Sequence, residues 1–219
     1  RGANNVNLRF PLIAKPLTAA GTKKSHCMAI VLQQPALQRL DTPCLLQEYT
    51  NHNGTLFKVY VLGDRIDVFS RPSLPNLPTD QDSLNALQTL VEFDSQRPYP
   101  AASDFGLPHQ EHHHQQQQAE ATLSTTEIGP VVTALKKAFG LELFGFDILV
   151  STTNNALVVV DVNYFPSYKE VENFPTQLAK YLTQRALDTR NTTSAVHYGY
   201  YSSSREEEEE LTEQQQGAE

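Results

Sequence analysis

Long apolar runs are missing from this chain of 219 residues. No stretch approaches the roughly 20 residues needed to cross a bilayer, and no secretory leader pattern is present, so no membrane partner is expected. Cysteine is scarce too. Cys27 and Cys44 are the only two, too few for a disulfide framework, which points to a reducing compartment and a cytoplasmic protein. An excess of positive charge is also lacking. The formal net charge is −8, and Arg205 to Glu219, with seven glutamates and one arginine, carries −6 of it. The rest is close to neutral and offers a nucleic-acid partner no electrostatic support. No internal repeat is visible, and a monomer is expected. Gly-x-x-x-x-Gly-Lys-Ser/Thr, Gly-x-Ser-x-Gly and His-Glu-x-x-His are all absent. Any phosphoryl-transfer site must therefore be built from strand side chains, not from one glycine-rich helix start.

Short β-branched and aromatic runs are what the chain does contain. Residues 8–15 read as a strand ending on Lys15, followed by a loop with Gly21-Thr22-Lys23-Lys24. Met28 to Leu32 reads as a strand, Pro35 to Leu40 as a short helix, and Cys44 to Tyr49 as a strand. Leu56 to Leu62 and Arg65 to Ser70 flank Gly63-Asp64, a tight hairpin signal. From about Asp94 to Thr126 the composition changes: Pro98, Pro100, His112 to His114 and Gln115 to Gln118 mark a low-complexity insertion, spanning about 95–125, that is expected to lack order. The histidine run reads as a solvated polar loop. Glu127 to Leu141 and Phe174 to Leu187 read as helices. Residues 188–219 read as a polar acidic tail, expected to be disordered.

The chemistry concentrates in a hairpin. Phe144 to Val150 and Ala156 to Val160 are strand-like, joined by a polar turn with Asn154-Asn155. Asp161 and Asn163 are two positions apart and leave one face, with Asp147 opposite them on the neighbouring strand. Two carboxylates and a carboxamide make a hard oxygen site of the kind that suits Mg²⁺ holding nucleotide phosphates. An acidic strand end facing solvent is the plainer reading of the same residues. Lys15 and Lys58 are charges inside apolar strands. Alternation would let Lys58 simply face water, yet both lysines fit a role of neutralising phosphates beside that carboxylate cluster. Arg71 is placed to clamp a further phosphate. His26 and His52, alone in polar loops, read as surface residues.

These residues also carry a resemblance. Phe10-Pro11-Leu12-Ile13-Ala14-Lys15, Gly21-Thr22, Ser25-His26 and Met28-Ala29-Ile30-Val31 form one block. Gln47, Asn51-His52-Asn53, Lys58-Val59, Val61 and Arg71-Pro72-Ser73-Leu74 form a second. Leu143-Phe144-Gly145-Phe146-Asp147, Asp161-Val162-Asn163, Phe165-Pro166 and Tyr168 form a third. Together they resemble the inositol-tetrakisphosphate 1-kinases, also called inositol 1,3,4-trisphosphate 5/6-kinases, over about residues 8 to 185.

The resemblance implies an α+β ATP-grasp fold whose two lobes of antiparallel sheet enclose ATP, divided here as 1–49 and 50–187. It implies that Lys15 and Lys58 contact ATP phosphates and that Gln47, Glu48, Tyr49 and Thr50 line the adenine pocket. Arg71 and Ser73 would touch the nucleotide, and Asp147, Asp161 and Asn163 would hold Mg²⁺. His26, Lys58, Asn163, Ser167 and Lys169 would meet the inositol phosphate. Lys58 and Asp161 are the residues expected to carry catalysis. The chain departs from the pattern at Ala19-Ala20-Gly21, where the family has Ala-His-Gly, and at Ser167, where it has glycine. The family's basic N-terminal domain lies outside these residues, so the expectation is the ATP-binding part of such a kinase. A carboxylate–amine ligase, the commoner chemistry on this fold, and a non-catalytic nucleotide-binding module are the alternatives.

Overall fold

A computed structural model of the chain describes residues 8–18, 22–108 and 122–189. The chain divides into two compact units, Arg1–Val61 with Ile66–Pro166, and Leu62–Arg65 with Ser167–Glu219. The first unit carries two four-stranded sheets. In the first sheet β1 (Leu12–Pro16) lies between β2 (Cys27–Val31) and β3 (Cys44–Glu48), and β6 (Leu90–Asp94) joins outside β2. All three of its pairings are antiparallel. Paired residues share a face, so register sorts the sheet into two faces. Leu12, Ala14, Ala29, Val31, Leu46 and Leu90 pack on one. Ile13, Ile30, Val91 and Phe93 pack on the other, with Phe105 and with Leu84 of the short helix α1 (Gln81–Asn85). Because β1 separates the strands bearing Cys27 and Cys44, two strand spacings set their backbones about 9–10 Å apart, beyond disulfide reach. Both are free.

The second sheet runs β5 (Arg65–Pro72), β4 (Thr55–Leu62), β7 (Leu143–Val150), β8 (Leu157–Asn163). Phe57, Val59 and Val61 of β4 and Phe144, Phe146 and Ile148 of β7 form its buried face, covered by Ile128 and Val132 of α2 (Thr125–Phe139). Helix α2 starts with a reciprocal cap: Glu127 N–H donates to Ser124 Oγ at 3.3 Å, and Ser124 N–H donates to Glu127 Oε2 at 2.9 Å. It ends at Gly140 in the left-handed conformation, φ 66°. In the second unit, helix α3 (174–189) brings Tyr181 so close to the Gly63 turn that a Cβ at Gly63 would lie 2.7 Å from its ring.

A polar clasp closes the start of β4 against the segment after β5. The carboxamide of Asn51 bridges Leu77, accepting from its N–H at 2.8 Å and donating to its carbonyl at 2.7 Å. Asn76 Oδ1 accepts from the backbone N–H of His52 and of Asn53, at 3.0 and 2.9 Å. Tyr49 Oη donates to the Pro75 carbonyl at 2.7 Å. His52 lies inside this clasp and is only 4% exposed, which corrects its reading as a surface histidine. The loop is polar because its side chains satisfy one another's backbone.

Two further expectations are corrected. The boundary after residue 49 does not separate the sheets, because β6 returns to the first sheet from residue 90. The low-complexity reading of 95–125 extends too far in both directions. Phe105 is 0% exposed and packs with Ile30 and Leu84, Tyr99 packs beside the same cluster, and Leu123 joins the core under α2. Apolar residues scattered among prolines still found a core to enter. The histidine and glutamine runs at 112–118, and residues 190–219 of the acidic tail, lie outside the described residues.

Phe105→Ala is expected to lower the unfolding free energy by about 3–5 kcal/mol, read by urea denaturation. A change under about 1 kcal/mol would mean that this segment does not pack as described. A second expectation concerns pH. Burial holds the His52 imidazole below its ordinary 6.5, against the hydrogen bond to Thr50. The unfolded chain then binds a proton here that the folded chain does not. Stability from this site is full above about pH 6.5 and falls as pH drops below it. His52→Asn should flatten the decline in urea midpoint between about pH 7.5 and 5.5; an unchanged slope would contradict it.

Candidate active site

Asp147 and Asp161 face each other as a pair across β7 and β8, with Gly145 opposite Asn163. Ile148 then pairs with Val159, so Val160 is an extra residue, a β-bulge. The bulge decides the site. Leu157 and Val159 pack on the core, as does Val162, so the alternation changes parity at Val160. Without that shift Asp161 would point into the core. With it, Asp161 and Asn163 share the face of Asp147, away from the Phe144–Phe146–Ile148 stripe. Gly145 is required here: a Cβ would lie 2.8 Å from Pro166 Cγ and 3.2 Å from the Val59 carbonyl.

Two lysines converge on the carboxylates. Lys58 shares the non-core face of β4, and its Nζ stands 3.5 Å from Asp147 Oδ1, with side chains 40% and 23% exposed. It does not simply face water. Lys15 arrives from the first sheet, and its Nζ donates to the carbonyl of the bulged Val160 at 2.8 Å. Burial holds the Lys15 ammonium below its ordinary range, while Asp161 and then Asp147 push it back up. Burial likewise raises the Asp147 carboxyl, opposed by Lys58 and reinforced by the like charge of Asp161. An anionic ligand arriving beside Lys15 would favour its charged form.

Tyr99 is a partly buried residue that sequence reasoning left in the low-complexity segment. Its ring meets Phe93 edge-on at 5.7 Å, on the sheet face that also carries Lys15. Burial, and then the charges of Asp147 and Asp161, raise its phenol. The only sequence signal was an aromatic within a proline-rich stretch.

The other expected residues have surroundings of their own in each unit. Gln47 pairs with Ile13 and shares its face, and Glu48 pairs with Leu12 on the opposite one. The Glu48 carboxylate accepts from Arg9 N–H at 2.9 Å, which holds it below the ordinary range. Tyr49 and Thr50 lead into the polar clasp, where the Thr50 carbonyl bonds His52. Arg71 is exposed near the end of β5, and Ser73 contacts His52 Nε2 at 2.9 Å. His26 closes the turn Lys23–His26, its Nε2 3.0 Å from the Gln96 carboxamide nitrogen and its Nδ1 3.5 Å from Ser95 Oγ. Ser167 and Lys169 belong to the second unit and flank Tyr168, whose ring stacks on Phe174 at 3.9 Å and whose phenol burial pushes up to about 12.

As a metal centre the donor set is two carboxylates and one carboxamide. Among the described residues, no group of three or more histidine, cysteine, aspartate or glutamate side chains is placed to hold a metal ion. The Asn163 Oδ1 already accepts from Phe165 N–H at 3.0 Å and keeps a second lone pair. Such a site fits a hard cation that completes its shell with phosphate and water oxygens. Among the described residues, no helix is long and apolar enough to cross a membrane.

The family model for the inositol 1,3,4-trisphosphate 5/6-kinase ATP-grasp domain matches residues 1–184. Inositol-tetrakisphosphate 1-kinase 5 of Oryza sativa subsp. japonica is 36% identical over 176 residues, covering 80% of this chain and 50% of that protein. Inositol-tetrakisphosphate 1-kinase 1 of Arabidopsis thaliana is 32% identical over 181 residues, covering 80% of this chain and 54% of that protein. The Danio rerio inositol-tetrakisphosphate 1-kinase is 32% identical over 176 residues, covering 80% and 42%. The chain spans about half the length of the curated relatives it matches. Matched by that model over most of its length, the chain belongs to the inositol 1,3,4-trisphosphate 5/6-kinase ATP-grasp domain family.

Proposed function

We propose that this chain is the ATP-binding part of a Mg²⁺-dependent kinase. It transfers the ATP γ-phosphoryl group to a hydroxyl of an inositol tris- or tetrakisphosphate. The carrying observation is the carboxylate pair with Lys58 3.5 Å from Asp147 and Lys15 tied to the neighbouring Val160 carbonyl. Asp147, Asp161 and Asn163 would hold the cation. When bound, Mg²⁺ offsets charge on the β- and γ-phosphates. Lys15 and Lys58 offset the remaining phosphate charge as it develops, so the protein's contribution is positioning and electrostatics without a covalent intermediate. Gln47 to Thr50 line the adenine pocket, and Arg71 and Ser73 touch the nucleotide. His26, Lys58, Asn163, Ser167 and Lys169 meet the inositol phosphate. The working location is the cytoplasm and the working state a monomer.

Asp161→Ala is expected to weaken Mg²⁺-dependent ATP binding by at least about tenfold with the melting temperature held, since Asp161 is exposed. Calorimetry with and without Mg²⁺ reads it, and equal affinity in variant and parent would sink the metal assignment. The activity is read by transfer of label from γ-labelled ATP with the full-length protein. Labelled inositol phosphate is expected. An acyl phosphate trapped by hydroxylamine would reassign the chain to carboxylate–amine ligation.

A further inference from the structure

His52 is buried in the polar clasp of the first unit, and neither the fold nor the proposed chemistry explains why an imidazole stands there. Its Nδ1 lies 2.7 Å from the Thr50 carbonyl oxygen, and its Nε2 lies 2.9 Å from Ser73 Oγ. A carbonyl only accepts, so Nδ1 carries the proton. Burial disfavours a second proton on the ring. Nε2 is then an acceptor, and the Ser73 hydroxyl must donate to it. The backbone around this relay is fixed from both sides. Ser73 N–H donates to the Gly54 carbonyl at 2.7 Å, and Asn76 ties back to His52 and Asn53. Asn53 and Gly54 make the turn in the left-handed region, φ 53° and 65°. The Tyr49 ring packs against the imidazole with centroids 5.9 Å apart.

We infer that His52 is a positioning residue that draws the Ser73 hydroxyl proton inward and leaves the Ser73 oxygen as an acceptor for a hydrogen-donating group of the bound nucleotide. The inference rests on the proposed contact between Ser73 and the nucleotide. Through Thr50 the same ring ties that contact to the segment proposed to line the adenine pocket.

Two side chains separate the two bonds of the imidazole. An asparagine at position 52 can reach the Nδ1 position and keep the Thr50 bond, and a glutamine can reach the Nε2 position and keep the Ser73 bond. The test is Mg²⁺-ATP affinity of the whole chain, read by calorimetry, for Ser73→Ala, His52→Asn, His52→Gln and the double variant His52→Asn with Ser73→Ala. Melting temperatures are taken alongside. Ser73→Ala and His52→Asn are each expected to weaken binding about three- to tenfold, the size of one hydrogen bond. The double variant should be no weaker than Ser73→Ala alone, and His52→Gln should recover most of the loss. Equal effects of His52→Asn with and without the Ser73 hydroxyl would overturn the positioning role while leaving the Ser73 contact standing. An unchanged affinity in Ser73→Ala would overturn the Ser73 contact and the inference with it. Nitrogen-15 NMR of the parent chain reads the ring directly, whether or not a variant folds. The Nδ1–H tautomer is expected, and the Nε2–H tautomer would overturn the inference.

Discussion

Two carboxylates placed side by side on neighbouring strands repel each other, and the site is organised around that repulsion. Asp147 is half-buried and faces Asp161 across the hairpin. Lys58 stands against Asp147 at 3.5 Å, and Lys15 sits where both carboxylates favour its charge. In a partly desolvated site such charges interact more strongly than in water. The arrangement is balanced between two anions and two cations, and in the proposed function a cation would take over the carboxylates as phosphates take over the lysines.

The bulge at Val160 links this balance to the fold. It turns Asp161 out of the core, and the same residue's carbonyl receives Lys15 from the first sheet at 2.8 Å. One extra residue in β8 therefore sets both the direction of a carboxylate and the seat of a lysine. Gly145 keeps the opposing strand close enough for Pro166 to pass beside it. These local irregularities shape the proposed site, and the regular strands carry the frame.

Much of this was legible in the sequence, for identifiable reasons. The β7–β8 hairpin is marked by β-branched runs around Asn154-Asn155, and the pairing of Asp147 with Asp161 follows from that. The bulge was not legible, because Val158-Val159-Val160 is uniformly apolar and shows no change of alternation. Strand β6 was missed because a five-residue run finds its partner, β2, some sixty residues away. Phe105 and Tyr99 were hidden by their neighbours' composition, which describes a segment's average and not its anchors. His52 read as a surface residue because its partners Ser73 and Asn76 lie more than twenty residues on.

The central claim is that a divalent cation and ATP phosphates meet at the Asp147–Asp161 pair. Paramagnetic broadening by Mn²⁺, followed by NMR on the chain with a non-hydrolysable ATP analogue, tests it most directly. The account predicts broadening centred on residues 145–147 and 161–163, with shifts at Lys15 and Lys58. Broadening centred on His112 to His114, with the hairpin signals unchanged, would contradict it.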